Sequence, residues 1–222
     1  VDVGFGEHPV TTLEAAAAFR ALHPALPVVG VELEAHRVEA AQAHADAHTR
    51  FVQGGFTVPL GEGERARLLR AMNVLRGYPE ERVGEAHRLL GEALLPGGLL
   101  VEGSADPEGG ITAVHLLRRG EAGLTREALL LHTDFTGGFA PVRFRDWLPR
   151  DLRRSVRPGT EIHALLQAWT QAWQEVRAEG HTAPADAFAA SVRLLATRDA
   201  RVDAEGWLVE GGYLKVRGGV GG

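Results

Sequence analysis

The feature that constrains this chain most is an alternation, over its first two-thirds, of short apolar runs with stretches of helical character. Val1-Asp2-Val3, Val28-Val29-Gly30-Val31, Arg50-Phe51-Val52-Gln53, Ala66 to Met72 and Leu99-Leu100-Val101-Glu102 read as five strands. Helical patterns from about Thr12 to Leu22, Ala35 to His48 and Glu80 to Leu95 lie between them. Near-continuous apolar runs suit strands covered on both faces, so the pattern predicts a parallel sheet wrapped by helices. Thr11 or Thr12 is the expected N-cap of the first helix, and Pro96-Gly97-Gly98 the stop signal of the third. Ile111 to Leu117 and Leu129 to Asp134 add two strands at one sheet edge. The expectation is a mostly parallel, seven-stranded sheet.

Past residue 134 the rhythm changes. Glu161 to Glu179 and Ala185 to Ala196 read as helices outside the repeat. Trp207 to Glu210 and Tyr213 to Val216 flank Gly211-Gly212, which predicts a two-residue hairpin. Gly218 to Gly222 reads as a disordered tail. The expected organisation is a ligand-binding core over 1–134 and an extension over 135–222 packed on the same domain. Val1 opens directly on a strand, so the native chain is expected to be longer at its N-terminus.

Composition excludes several chemistries. With no cysteine, the chain has no disulfide, thiol nucleophile or thiolate metal site. A formal charge of −5 argues against broad, non-specific binding to nucleic acid. No apolar stretch reaches bilayer-spanning length, and no signal-like lead is evident, so a cytoplasmic location is expected. Lys215 is the only lysine, and with heavy Ala, Gly and Leu usage this suggests a GC-rich bacterial genome.

Chemistry is concentrated at the ends of the early strands. The turn Gly4-Phe5-Gly6 lets backbone pass close to a ligand and leads into a helix N-terminus with free N–H groups. Glu32 stands at the tip of the second strand, where a carboxylate can accept both hydroxyls of a ribose. A dinucleotide fingerprint would need a third Gly where this chain has Pro9, and Glu7 would repel a pyrophosphate. The acid Asp2 just before the turn suits a cationic amino acid better, which favours S-adenosylmethionine over NAD.

These motifs, followed by Met72-Asn73-Val74-Leu75 and Leu94-Leu95-Pro96-Gly97-Gly98-Leu99-Leu100-Val101, resemble those of class I S-adenosylmethionine-dependent methyltransferases. The run Pro9-Val10-Thr11-Thr12-Leu13-Glu14 resembles uncharacterised bacterial members. The resemblance implies a three-layer αβα Rossmann-like fold and covers about residues 1–104, or 1–134 with the two edge strands. It implies that Asp2, Gly4 and Gly6 line the methionine part, with Phe5 of the same turn also cofactor-binding, Glu32 on the ribose, and Gly55 and Phe56 near the adenine. Asn73 would edge the methyl-transfer site, with Arg76 and Tyr78 as candidates for the acceptor pocket. Three positions depart from the family pattern. His8 replaces a frequent third Gly, Gly55 replaces an Asp that accepts the adenine amino group, and Val74-Leu75 replaces a Pro-Pro-aromatic sequence. The last departure argues against base or protein-amide methylation and for a small-molecule acceptor.

Other residues carry less. His44 and His48, four apart on the expected second helix, lack a third ligand, so no metal site is expected. Glu102 is a candidate for the cleft, whereas His132 and Asp134 read as surface groups on an edge strand. Trp169 and Trp173 read as core. Arg143, Arg145, Arg150, Arg153, Arg154 and Arg157 form a basic run that reads as a solvated face or as a site for an acidic acceptor. The resulting expectation is methyl transfer to a metabolite held between Asn73, Arg76 and Tyr78 and the C-terminal helices. The alternatives are a non-catalytic adenosyl-binding module and an NAD-dependent oxidoreductase.

Overall fold

A computed structural model describes residues 1–221. In chain order the elements are β1 (Asp2–Val3), α1 (Val10–Arg20), β2 (Val28–Glu32), α2 (Ala35–Ala41), β3 (Thr49–Gln53), β4 (Ala66–Met72), α3 (Val83–Glu92) and β5 (Leu94–Ala105). Then follow β6 (Ile111–Gly120), β7 (Gly123–Thr133), α4 (Arg150–Arg153), α5 (Glu161–Ala178), α6 (Pro184–Ala196), β8 (Val202–Asp203), α7 (Gly206–Glu210) and β9 (Tyr213–Arg217). The strands run β3-β2-β1-β4-β5-β6-β7-β9-β8 in one mixed sheet. The fold is α/β as expected, but the sheet has nine strands, and much of it is antiparallel. Parallel pairing holds for β3-β2, β2-β1 and β1-β4, whereas β7-β9 and β9-β8 are antiparallel. The connections explain the change: residues 106–110 and 121–122 are too short to carry a parallel crossover, which needs about a dozen residues or more.

The chain forms two compact units, and the first holds residues 1–74, 81–101 and 118–125. All five residues of β2 are buried, as a strand covered on both faces should be. Gly30 makes room there for Phe51, which meets Phe5 edge to face at 5.4 Å. Phe5, Phe51, Val38 and Ala41 form a small core with α2. Several boundaries differ from expectation, among them that of α2, which ends at Ala41 and not at His48 because a 3-10 turn takes over at Gln42. Helix α3 stops at Glu92, because the Ala93 carbonyl accepts the Ala66 N–H at 2.8 Å and Leu94 is already in β5. Pro96-Gly97-Gly98 therefore lies inside a strand, with Gly97 at φ 78° and its carbonyl accepting from Arg118. Helix α1 begins at Val10, with Pro9 at the cap position and no capping side chain.

The second unit holds residues 75–80, 102–117 and 126 onward. Its core packs β7, β9, α5 and α6 around Trp169 and Phe188, both fully buried. The Trp169 indole N–H donates to Ser191 Oγ at 3.0 Å, which satisfies a polar group that burial would otherwise penalise. Thr160 caps α5 by accepting the His163 N–H. The expected hairpin does not form. Residues 206–210 are helical, and β9 pairs instead with β7 and β8. A two-residue type I′ turn needs positive φ at both central positions, but Gly211 has φ −78° and only Gly212 is left-handed. The tail also departs from expectation: Val220 is buried, Gly221 donates to Glu161, and the Gly221 carbonyl accepts from Ile162. Gly222 lies outside the described residues.

Candidate nucleoside site

Within the first unit the strand order brings the carboxyl ends of β1, β2, β3 and β4 side by side. Glu32, 6% exposed, is the keystone of that edge. Its Oε2 accepts the Gly6 N–H at 2.9 Å, and its Oε1 accepts those of Leu33 at 2.9 Å and Glu34 at 3.3 Å. Arg37 adds a cation 3.7 Å from Oε1. A carboxylate offers about four acceptor positions, so backbone donors occupy most of them. By that count one acceptor position on Oε2 is left, where the expectation was two hydroxyls.

The glycine turn is shaped for close approach. Gly4 and Gly6 have φ 76° and 80°, a region where side-chain-bearing residues are strained. A Cβ at Gly4 would lie 2.6 Å from Val74 Cγ2, so β4's exit packs directly on the turn. A Cβ at Gly6 would meet nothing within 4 Å, so this backbone faces open space. Asn73, just before Val74, is itself left-handed at φ 61°, a conformation Asn tolerates better than most residues. Gly54 donates to the Glu32 carbonyl at 2.9 Å, and Gly55 sits beside Leu33 Cδ1. Gly4, Gly6, Glu32, Gly55 and Asn73 are thus gathered by neighbouring strand ends, with Phe56 next in the chain.

Two expected contacts take another form. Phe5 turns its ring into the core and offers the site only backbone. Asp2 is buried and committed within the protein: its Oδ2 accepts Thr12 Oγ1 at 2.6 Å and Thr11 Oγ1 at 3.4 Å, while Arg70 Nε lies 3.7 Å from Oδ1. Thr12 therefore ties α1 to β1 instead of capping the helix. Leu33, 56% exposed beside Gly55, is an apolar surface at the site that sequence reasoning missed. The signal available was its place directly after the strand-tip acid.

Arg76 and Tyr78 lie in the second unit. Arg76 stacks over Trp147 at 4.2 Å and donates from Nη1 to the Asp146 carbonyl at 2.8 Å. Burial, and secondarily the charge of Arg153, hold its pKa below the ordinary guanidinium value, against an opposing pull from Asp146. Tyr78 is half-buried, and its N–H donates to Leu75. A surface cavity of about 710 Å³ runs along α5 past Val142, Arg145, His163 and Gln171; it contains Arg145 of the basic run but neither Arg76 nor Tyr78.

The lesser candidates are redistributed. His44 ends a short 3-10 turn, and His48 lies in a turn where its N–H donates to Asp46, so the two do not share a helical face. Glu102 is fully buried inside β5, which continues to Ala105. His132 is half-buried on an interior strand, its ring 4.4 Å from that of Tyr213, and burial lowers its pKa.

No protein-family model and no curated protein matches the chain. Among solved structures it is similar to the CcbJ methyltransferase from Streptomyces caelestis, at 22% identity over 60% of this chain and 58% of that one, with a TM-score of 0.35. It is also similar to LepI in complex with SAM, at 22% identity over 49% of this chain and 27% of that one, with a TM-score of 0.37. A third is an S-adenosylmethionine-dependent methyltransferase from Mesorhizobium loti, at 20% identity over 48% and 46%, with a TM-score of 0.36. The chain spans between about a quarter and three-fifths of the length of these three.

Proposed function

We propose that the chain binds the adenosyl group of S-adenosylmethionine at the ends of β1 to β4 and transfers its methyl group to a small acceptor. The observation that carries the reading is the Glu32 carboxylate, bonded to the Gly6 N–H across the glycine turn and still able to accept one hydroxyl. A buried strand-tip acid joined to an open glycine turn fits a ribose beside a close backbone approach. Leu33 and the backbone of Gly55 and Phe56 offer an apolar seat for an adenine, and Gly55 brings no carboxylate to its amino group.

When bound, S-adenosylmethionine supplies a methyl group on a sulfonium, which is already a good leaving group. The work left to the protein is positioning and exclusion of water. Glu32 fixes the ribose and the turn together, and Gly6 leaves backbone clear for the ligand. Asp2, through Thr12 and Arg70, holds the turn and α1 in register. Asn73 presents its backbone at the transfer edge.

Calorimetry decides the ligand. S-adenosylhomocysteine is expected to bind 1:1, and Glu32→Gln to weaken it at least tenfold, with no saturable binding of NAD. Binding of NAD in preference to S-adenosylhomocysteine would refute the reading. Tight binding with no S-adenosylhomocysteine released from any acceptor would leave a binding module, a reading favoured by Gly55 in place of an acid.

A further inference from the structure

Two features that stand apart in the sequence meet in the second unit: Arg76, and the basic run from Arg143 to Arg157. Arg76 lies over the Trp147 ring at 4.2 Å, pinned by the Asp146 carbonyl, and Arg153 follows on α4, which packs against the 141–147 turn that carries Trp147. Arg150 and Arg153 are three apart on α4 and so share a helix face. All three arginines are half-buried, and among the described residues none of them has a carboxylate within ion-pair distance. Arg150 Nε is buried with no hydrogen-bond partner. Of the two aspartates in the run, Asp151 is taken by His115 at 2.9 Å and by Arg126. Asp146, exposed, partly offsets the charge on Arg76.

We propose that Arg76 and Arg153, with Arg150 beside them and Trp147 as a platform, form a binding site for the carboxylate or phosphate group of a small molecule. Guanidinium forks match the geometry of both oxyanions, and an oxyanion between two arginines replaces their repulsion with paired, charge-assisted hydrogen bonds. Stacking on Trp147 holds one fork in place before the ligand arrives, which lowers the ordering cost of binding. A polymer of phosphates fits less well, since the three arginines are recessed and the whole chain carries a charge of −5.

The test is calorimetric titration of the intact chain with inorganic phosphate and, separately, with benzoate, at constant ionic strength against a chloride control. Saturable binding is expected, at least tenfold weaker in Arg76→Gln and in Arg153→Gln, and changed less than twofold in Arg154→Gln. The last variant removes the same charge from an exposed neighbour. A preference for benzoate assigns a carboxylate ligand, and a preference for phosphate a phosphoryl one. Should Arg76→Gln fail to fold, the comparison of Arg153→Gln with Arg154→Gln decides alone. Equal weakening by Arg154→Gln, no saturation by either anion, or saturable binding of structured RNA alone would overturn the site. Anion binding is measured without any adenosyl ligand, so its failure is distinct from a failure of S-adenosylhomocysteine to bind.

Discussion

Alanine at Gly4 and at Gly6 should have opposite signatures, although the two glycines have nearly the same φ. Both sit in the left-handed region, at φ 76° and 80°, where a Cβ costs about 1–2 kcal/mol. Gly6→Ala adds nothing to that, because its Cβ meets no atom within 4 Å. Gly4→Ala adds a collision: 2.6 Å to Val74 Cγ2 is well inside the 3.4–4 Å of ordinary contact. Overpacking of this kind costs about 1–3 kcal/mol more, for a total of roughly 2–5 kcal/mol. Val74→Ala removes the offending methyl and should recover about 1–3 kcal/mol of the Gly4→Ala cost as coupling between the two sites. Urea unfolding followed by far-UV circular dichroism is the assay, since all four tryptophans lie in the other unit and would report on it instead. Binding should rank the pair the other way. The Gly6 methyl enters the open space assigned to the ligand, so Gly6→Ala should weaken S-adenosylhomocysteine at least tenfold while remaining the more stable protein. Equal unfolding midpoints for the two variants, or a double variant no better than the sum of its parts, would refute the reasoning.

Thr12→Val should cost about 1–3 kcal/mol in urea unfolding, because it removes the buried donor to Asp2. Deleting residues 218–222 should cost about 2–4 kcal/mol, chiefly the burial of Val220, together with the bonds it and Gly221 make to Arg126 and Ile162. An unchanged midpoint would mean that the tail is not held. His132 has a folded pKa below its unfolded value of about 6.5. Below that pH the unfolded chain therefore binds the extra proton, and the stability His132 contributes, full above pH 6.5, is lost as pH falls toward its folded pKa. The melting temperature of His132→Gln should fall less between pH 7 and pH 5 than that of the parent.

Local pattern made much of the first unit legible. The unbroken apolar run of β2, the Gly-x-Gly turn and the acid after Val31 each follow from a neighbourhood of a few residues, and so does the place of β4. The long helices α5 and α6 were equally readable, because an amphipathic period sustained over several turns has few alternatives. What the sequence left open was every choice between two locally acceptable partners. Trp207 to Val216 satisfies a hairpin rule, yet β9 finds β7 and β8, and the preceding segment closes as a helix with Leu208 and Val209 buried. Pro96-Gly97-Gly98 reads as a helix stop but lies within a strand, because the Ala93 carbonyl bonds Ala66 across the sheet. The glycine-rich tail looks unstructured until Arg126 and Glu161 supply its hydrogen-bond partners. At the site, residue identity was readable but allegiance was not: Glu32 spends most of its acceptor capacity on backbone, Asp2 is committed to Thr12, and Phe5 turns inward. Periodicity and turn chemistry act over a few residues and are written in the chain. Strand pairing, burial and the choice of hydrogen-bond partner are competitions among groups far apart in sequence, and only tertiary packing decides them.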